Sequence, residues 1–238
     1  MPALWAGQDA LRRYGFHGLA HGFLWQRWLG LRSAASARSA GDRVISLQLG
    51  SGCSIAAIRD GVPLDTSMGF SPLEGLVMGT RCGDLDPGLL LYLQRQHGWS
   101  PQQLEQRLNH ECGLLGLSGL SADVKVLLAT SSAAVQLALE IYCYRVRKYI
   151  GAYLVVLGGA DAILFGGGVG EHVPALRAQM LEGLEWAGVV LDSARNSAAT
   201  NGDARIGADA SAVDLRVFEV DESAMMLREA RRVLAGTA

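Results

Sequence analysis

The segment that decides the fold is RVISLQLGSGCSIAAIRDGVPLDTS, residues 43–67. Residues 44–49 and 53–59 are largely apolar and are separated by a Gly-Ser-Gly triplet, so both are predicted to be strands. Asp60-Gly61 is a typical hairpin turn and predicts a third strand near 62–65. The segment therefore predicts three consecutive strands joined by short turns.

The rest of the chain alternates between helical and strand patterns. Helices are predicted over residues 18–31, 87–98, 100–108, 133–150, 174–188 and 221–236, and further strands over 162–165 and 215–220. Gly98 is predicted to be a helix C-cap, Ser100 and Gln103 to form a capping box, and Asp221 to be an N-cap. The Ala/Ser-rich residues 33–41 are predicted to be a loose connection and residues 192–213 a surface excursion. This order predicts an α/β fold with a mixed sheet flanked by helices.

One domain is expected over residues 1–238. Its predicted parts are an entry helix with its connection (1–43), a core (44–220) and a terminal helix (221–238).

Composition narrows the function classes. Half of the residues are hydrophobic and 18% are charged, which is typical of a soluble globular protein. A net charge of -2 gives no electrostatic reason to expect nucleic acid or an anionic membrane as a partner. The apolar stretch 150–170 contains Asp161 and many glycines, so a helix end followed by a buried strand is favoured over a membrane span.

The four cysteines are far apart and form no Cys-x-x-Cys pair. This spacing disfavours a zinc site and a disulfide framework, and reduced thiols are expected. No signal peptide is visible at the N-terminus, and the expected location is the cytoplasm.

Two glycine loops are the first candidate for chemistry. LGSGCS (49–54) joins two predicted strands, whereas FGGGVGEH (165–172) follows a strand and precedes a helix. Glycine lets backbone amides approach a phosphate closely. Each loop alone is more often an ordinary turn, and only the pair favours a nucleotide site. Neither is a Walker A or GxGxxG motif, which disfavours P-loop and Rossmann folds.

The stretch DTSMGFSPLEGLVMGTRCGDLDPG (65–88) places charged residues between closely spaced glycines. One interpretation is a surface loop with internal ion pairs. The other is a shaped loop that presents Arg81 into a cleft, where a fixed guanidinium would stabilise charge on a transferring phosphoryl group.

Three further side chains, His17, His21 and Glu222, have both a structural and a functional interpretation. His17 and His21 have HxxxH spacing, but no third ligand is in register, so zinc is disfavoured. A structural role is the ordinary interpretation, and an anion facing His17 is the alternative. Glu222 either interacts with the helix dipole or binds a water of Mg²⁺.

Several motifs together give the chain a close resemblance. They are RRYGFHG (12–18), the stretch 65–88, CGLLGLSG (112–119), YRVRKYIGAY (144–153) and GVGEH (168–172). With them the chain resembles the acetate kinase family, within the acetate and sugar kinase, Hsc70 and actin superfamily, over residues 11–232. The resemblance implies a ribonuclease H-like (actin-like ATPase) domain and phosphoryl transfer between ATP and acetate, giving acetyl phosphate and ADP.

The resemblance also implies roles for individual residues. His17 and Arg81 match the family's transition-state stabilisers, and Glu222 matches a carboxylate associated with Mg²⁺ (or Mn²⁺). The loop holding the ATP phosphates is matched by Gln48, Leu49, Gly50, Ser51 and Gly52. The segment near the nucleoside is matched by Asp123, Val124 and Lys125. The second nucleotide loop is matched by Gly168, Val169, Gly170, Glu171 and His172.

The chain departs from the family pattern at a few of these positions. Gln48, Ser51 and Cys53 stand where the family commonly has His, Asn and Ser, and His172 replaces Asn. The family's Thr-Asn-Glu-Glu is VDES (220–223) here. These changes lie in a cradle formed by backbone amides and leave both stabilisers in place.

In the family, a whole first domain precedes the RRYGFHG motif, which begins here at residue 12. That domain supplies a phosphate loop, the acyl pocket and a catalytic aspartate. The resemblance therefore implies one wall of an interdomain cleft for ATP or ADP and a short-chain carboxylate, and association as a homodimer. Three readings stay open: a truncated acetate kinase, a nucleotide-binding or dimerisation module that does not catalyse alone, or one half of a split kinase.

Overall fold

The computed structural model describes residue 7, residues 11–31 and residues 41–236. Residues 32–40, within the predicted connection, lie outside this range. The chain divides into two compact units. The helical unit comprises Met1–Phe16, Gly50–Ser54 and Thr66–Lys148, and the sheet unit comprises His17–Leu49, Ile55–Asp65 and Tyr149–Ala238. The expectation of one domain over residues 1–238, with parts 1–43, 44–220 and 221–238, stays a prediction, because compactness alone does not define a domain.

The sheet has six strands among the described residues. They are β1 (Arg43–Leu49), β2 (Cys53–Arg59), β3 (Val62–Thr66), β4 (Ala162–Gly166), β5 (Ala204–Arg205) and β6 (Asp214–Val217), in the spatial order β3-β2-β1-β4-β6-β5. β1 pairs with β4, and β4 with β6, in parallel, whereas β5 is antiparallel to β6. The predicted mixed sheet is confirmed, and Asp60-Gly61 forms the predicted turn with both φ angles positive.

One helix covers a face of this sheet. α1 (Gly18–Leu29) places Leu24 and Trp28 one turn apart, and both are buried against strand residues. The strand side of this core is Val44, Ala56, Ile58, Ala162, Leu164 and Phe218. Burying a leucine of this kind contributes about 1.5–3 kcal/mol. The indole Nε1 of Trp28 donates to Asp214 Oδ2 at 3.1 Å, which fixes the end of α1 beside β6.

The helical unit contains α2 (Pro87–His97), α3 (Pro101–His110), α4 (Gly113–Ser118), α5 (Val124–Leu128) and the first part of α6 (Ala133–Leu157). The predicted capping box of α3 is confirmed: Ser100 Oγ accepts from the amide of Gln103, and Gln103 Oε1 accepts from the amide of Ser100. Gly98 ends α2 in the left-handed conformation, as predicted.

The remaining helices are α7 (Gly167–His172), α8 (Pro174–Leu181), α9 (Ser193–Ala198) and α10 (Glu222–Leu234). Two sequence-based predictions fail here. The helix predicted to reach residue 188 ends at Leu181, because Gly183 has a φ of 75° and a short 3-10 turn (Glu185–Ala187) replaces the last turn. The predicted surface excursion instead contains α9 and β5 and buries Asn196 and Ile206.

No helix in the described ranges combines the length and apolarity needed to cross a membrane. All four cysteines lie within those ranges and have free thiols.

Candidate functional site

In the sheet unit, the predicted residues gather where β1 and β4 end. Gln48 of β1 is in register with Gly166 of β4, and α7 begins at the next residue. Gly167 has a φ of 76°, and a Cβ there would lie 2.7 Å from the Leu49 carbonyl oxygen and 2.9 Å from Gln48 Nε2. Only glycine fits this position, which brings the start of α7 against the end of β1.

Gly168, the next residue, faces open space. A Cβ built on Gly168 would meet no heavy atom within 4 Å. Beside this turn, the Oε1 atom of Gln48 is buried and has no hydrogen-bond partner in the described part of the chain. An unsatisfied buried acceptor next to an open glycine surface is a place where a ligand or its water can bind.

Glu171 has an internal role as well as a predicted ligand role. Its Oε1 accepts hydrogen bonds from the amides of Gly167 (2.7 Å) and Val220 (3.1 Å), so the buried carboxylate ties α7 to the chain entering α10. His172 Nδ1 lies 2.6 Å from the carbonyl oxygen of Thr200. These two side chains hold the glycine segment in place, and the role of the segment in binding phosphates stays a prediction.

His17 is the N-cap residue of α1 and has an unusual backbone. Its φ of 58° and ψ of 30° lie in the left-handed region, which is uncommon for a residue other than glycine. Its carbonyl oxygen accepts from the amide of His21 at 3.0 Å, and its side chain makes no capping hydrogen bond. Strained backbone of this kind often marks a functional position.

His21 has a different environment from His17. It is buried, and its Nδ1 lies 2.8 Å from Ser46 Oγ on β1. Burial, with a smaller contribution from the charge of His17, lowers the pKa of His21 to about 3. His21 is therefore a neutral core residue at physiological pH. Within the described chain, no group of three or more His, Cys, Asp or Glu side chains could hold a metal.

Glu222 begins α10 and is exposed. It lines an open groove of about 530 Å³ together with Asp203, Glu219 and Asp221, and Arg27 lies on the same rim. Asp221 Oδ1 accepts from the amide of Ala224 at 2.9 Å and caps the helix, as predicted. Asp203 pairs with Arg27 at 2.5 Å, so the groove does not form a cluster of carboxylates that could hold a metal ion among the described residues.

In the helical unit, the predicted segments meet at Gly79. Its amide donates to the carbonyl oxygen of Ser51 at 3.0 Å, and a Cβ on Gly79 would lie 3.4 Å from that oxygen and from Ala122. Gly79 is two residues from Arg81, and Ala122 precedes Asp123. Residues 50–52, the segment around Arg81 and the segment 123–125 are therefore neighbours in this unit.

Three backbone hydrogen bonds from the start of α4 fix the backbone before Arg81. The carbonyl oxygens of residues 78, 79 and 80 accept from the amides of Leu114, Leu115 and Cys112 at 2.8, 2.9 and 3.0 Å. Gly113 has a φ of 61°, and a Cβ there would lie 2.3 Å from the Met78 carbonyl oxygen. The motif CGLLGLSG thus supports the arginine segment, a role that sequence analysis did not find.

Arg81 itself is half-buried, and its Nη1 donates to the carbonyl oxygen of Pro72 at 2.7 Å. Elsewhere in the stretch, Glu74 pairs with Arg13 at 2.6 Å and Asp84 with Arg145 at 3.2 Å. Both ion pairs join the stretch 65–88 to arginines outside it, whereas the first interpretation expected ion pairs within the stretch. The stretch has the fixed shape that the second interpretation requires.

Cys53 and Asp123 hold neighbouring turns. The buried Cys53 thiol lies 3.2 Å from the Gly50 carbonyl oxygen and 3.3 Å from Tyr142 Oη, and burial raises its pKa, so the thiol stays protonated. Asp123 Oδ1 accepts from the amide of Lys125 at 2.9 Å and caps α5. Val124 is buried, whereas Lys125 is exposed.

Sequence reasoning missed one charged residue altogether. Arg177 of α8 is fully buried and donates hydrogen bonds to the carbonyl oxygens of Gly170 and Glu171. Its only signal was a charge between Leu176 and Met180 on an apolar helix face, which does not identify a partner in another segment.

The chain is similar to known proteins over nearly its whole length. A family model described as the acetokinase family matches residues 1–228. The chain is 44% identical over 240 residues to an acetate kinase of Solibacter usitatus (strain Ellin6076), covering 99% of this chain and 57% of that protein. It is 43% identical over 227 residues to an acetate kinase of Chloroherpeton thalassium (strain ATCC 35110 / GB-78), covering 93% and 54%.

Solved structures of two such kinases are also similar to this chain. The crystal structure of Porphyromonas gingivalis acetate kinase has a TM-score of 0.93 at 34% identity, covering 98% of this chain and 59% of that one. A propionate kinase from Francisella tularensis subsp. tularensis SCHU S4 has a TM-score of 0.85 at 33% identity, covering 95% and 57%. The expected fold class is confirmed, and the chain spans less than three fifths of the length of these relatives.

Proposed function

The chain belongs to the acetokinase family, and on that basis we propose that it takes part in phosphoryl transfer between ATP and a short-chain carboxylate, as in acetate plus ATP giving acetyl phosphate plus ADP. One observation carries the proposal: the family match runs through an open glycine surface at the ends of two parallel strands, with the buried acceptor of Gln48 beside it. Ligands of open α/β sheets commonly bind outside the carboxyl ends of the strands.

This chain contributes the nucleotide side of the reaction. Residues 48–52 and 168–172 are proposed to hold the phosphates, with residues 123–125 near the nucleoside. The amide of Gly50 already donates to the carbonyl oxygen of Gly52, so other groups of these segments supply the donors. The Cβ-free surface at Gly168 supports the proposal, because a phosphate needs close approach to backbone amides.

Arg81 and His17 are proposed to stabilise the charge on the phosphoryl group in flight. Arg81 is suited to this because α4 fixes its backbone and because its guanidinium keeps donors beyond the one that binds Pro72. Phosphoryl transfer of this kind depends on positioning and charge stabilisation, so no nucleophile from the protein is required.

We propose that a divalent cation, Mg²⁺ or Mn²⁺, binds near Glu222 at the start of α10, mainly through waters and substrate phosphates. Mg²⁺ is commonly bound by one or two carboxylates together with waters and substrate phosphates, so the exposed Glu222 does not need a closed ligand cage. The cation would neutralise charge on the phosphates. Glu222 would orient it through a water.

The acceptor, the assembly and the location rest on the family resemblance. Two relatives with solved structures are named acetate kinase and propionate kinase, which supports a short carboxylate as acceptor. Self-association as a homodimer and a cytoplasmic location complete the proposal.

A second candidate is a nucleotide-binding portion that does not catalyse alone, either as a module or as half of a split kinase. The observation that favours it is the length of the matched relatives, of which this chain covers 54–59%.

A hydroxylamine trap for acyl phosphate distinguishes these candidates. The chain is incubated with Mg-ATP and acetate, alongside Arg81→Ala and the control Arg95→Ala in the last turn of α2. If the chain catalyses alone, hydroxamate forms with the unaltered chain and with the control, and Arg81→Ala loses about 10³-fold.

Absence of hydroxamate together with saturable Mg-ATP binding would favour the second candidate. Absence of both product and nucleotide binding would contradict each of them.

A further inference from the structure

Arg177 is a buried charge with an uncommon set of partners. No part of it is exposed, and its guanidinium donates five hydrogen bonds to uncharged oxygens. Its partners are Asn196 Oδ1 (2.9 Å) and the carbonyl oxygens of Gly170 (2.7 Å), Glu171 (3.0 Å), Asn196 (3.0 Å) and Ala199 (2.6 Å). Burying a cation without a carboxylate partner is costly, so its hydrogen bonds must compensate.

The charge is retained in the folded protein. Burial lowers the pKa of Arg177 to about 10, which is still well above neutral pH. A guanidinium cation therefore lies in the interior of the sheet unit under ordinary conditions.

The interruption of the helix between α7 and α8 explains what this cation does. In a continuous helix, the carbonyl oxygen of Gly170 would accept from the amide of residue 174, but residue 174 is proline and has no amide hydrogen. Arg177 Nη1 supplies the missing donor. A cation at the C-terminal end of a helix is also favoured by the helix dipole.

The same side chain reaches a second segment. Its Nε and Nη2 bind Asn196 and Ala199 around the end of α9, and Asn196 Nδ2 donates to the carbonyl oxygen of Pro174 at 2.9 Å. The neighbouring Thr200 carbonyl oxygen contacts His172, the last residue of α7. Arg177 therefore joins the end of α7 to the end of α9.

We propose that Arg177 is a positioning residue that holds the backbone of residues 168–172 in the shape that binds the phosphates of a nucleoside di- or triphosphate. The inference rests on the proposed function, because the ligand of the glycine segment is taken from it. Arg177 lies behind the segment and acts through the carbonyl oxygens of Gly170 and Glu171.

Two measurements test this role in the 238-residue chain. The first is hydrogen exchange of amides 167–173 without nucleotide, and the second is the Kd for Mg-ADP by calorimetry. Arg177→Lys keeps the charge but cannot span both segments, because an ammonium lacks the planar fork of the guanidinium. Asn196→Ala removes one partner and is the milder variant, which guards against loss of folding in the first.

The matched control is Arg205→Met, which removes an arginine from an exposed ion pair with Asp209 in the same unit. In Arg177→Lys we expect at least tenfold faster exchange confined to residues 167–173 and at least tenfold weaker Mg-ADP binding. In Asn196→Ala we expect the same changes at about threefold, and in Arg205→Met none.

Three outcomes would overturn the inference. Unchanged exchange and unchanged Kd in both variants would show that Arg177 does not position the segment. Faster exchange spread evenly over the sheet unit would show a merely structural role. Failure of the unaltered chain to bind Mg-ADP would contradict the proposed function itself, and the inference with it.

Discussion

At the scale of single residues, His21 connects burial with the pH dependence of stability. The folded protein protonates His21 only near pH 3, whereas the unfolded chain does so near its ordinary value of 6.5. As the pH falls below 6.5, the unfolded state therefore binds a proton that the folded state excludes, and stability decreases by about 1.4 kcal/mol per pH unit until about pH 3.

A glutamine at this position removes the titrating group and keeps a hydrogen-bonding side chain near Ser46. Urea unfolding at pH 7 and pH 5 measures the stability lost in each protein. We expect the unaltered chain to lose about 2 kcal/mol more than His21→Gln over this interval. Equal losses in the two proteins would show that His21 is not held neutral.

Two adjacent glycines have separable roles. Gly167 is constrained by its φ of 76° and by the Leu49 carbonyl oxygen, so Gly167→Ala should lower the free energy of unfolding by about 1–3 kcal/mol. Gly168 faces open space, so Gly168→Ala should leave stability unchanged or raise it by up to about 1 kcal/mol. Its methyl group would nevertheless occupy the proposed phosphate surface.

Denaturant unfolding and Mg-ADP calorimetry on both variants check this pair. Gly168→Ala should keep its stability and lose at least tenfold in affinity. A stable Gly168→Ala that binds Mg-ADP as tightly as the unaltered chain would place the phosphates elsewhere.

At the scale of elements, the short helix α5 depends on its cap. Asp123 accepts from the amide of Lys125, and removing this contact in Asp123→Ala should cost about 1 kcal/mol. Asp123→Asn keeps a good cap and serves as the matched control. Chemical denaturation of the two variants would show equal stability if the cap were unimportant.

Elements whose signals are local could be predicted from the sequence. The turn at Asp60-Gly61, the capping box at Ser100 and the left-handed Gly98 each depend on residues within a few positions, and all three are confirmed. The helix after Pro174 was predicted too long because Leu184 continues the spacing of four set by Leu176 and Met180. The backbone at Gly183 breaks that helix, which apolar spacing alone does not reveal.

Contacts between distant segments could not be predicted. The partner of Arg177 on the excursion is Asn196, 19 residues away, and the polar composition of residues 192–213 favoured an exposed segment. Burial of Asn196 depends on the guanidinium that it satisfies. A hydrogen-bonded pair of this kind becomes visible only when both segments are placed.

At the scale of the whole molecule, the sheet order brings together motifs that are far apart in the sequence. Parallel pairing of β1 with β4 and of β4 with β6 brings their carboxyl ends to one edge of the sheet. The predicted residues Gln48 and Leu49 and the segment 168–172 lie at that edge. The sequence motifs pointed to these residues, whose role in binding a nucleotide stays a prediction. The hydrogen bonds made by Glu171 and by the start of α4 required the structure.

The proposed function requires that this chain carry a nucleotide site of the acetokinase type. The most direct test is calorimetric titration of the 238-residue chain with Mg-ADP, supported by thermal unfolding at increasing ligand concentration. We predict saturable binding at one site per chain and a stabilisation of about 2.7 kcal/mol at a hundred times the Kd. Absence of binding heat and an unchanged Tm at millimolar Mg-ADP would contradict the proposed function.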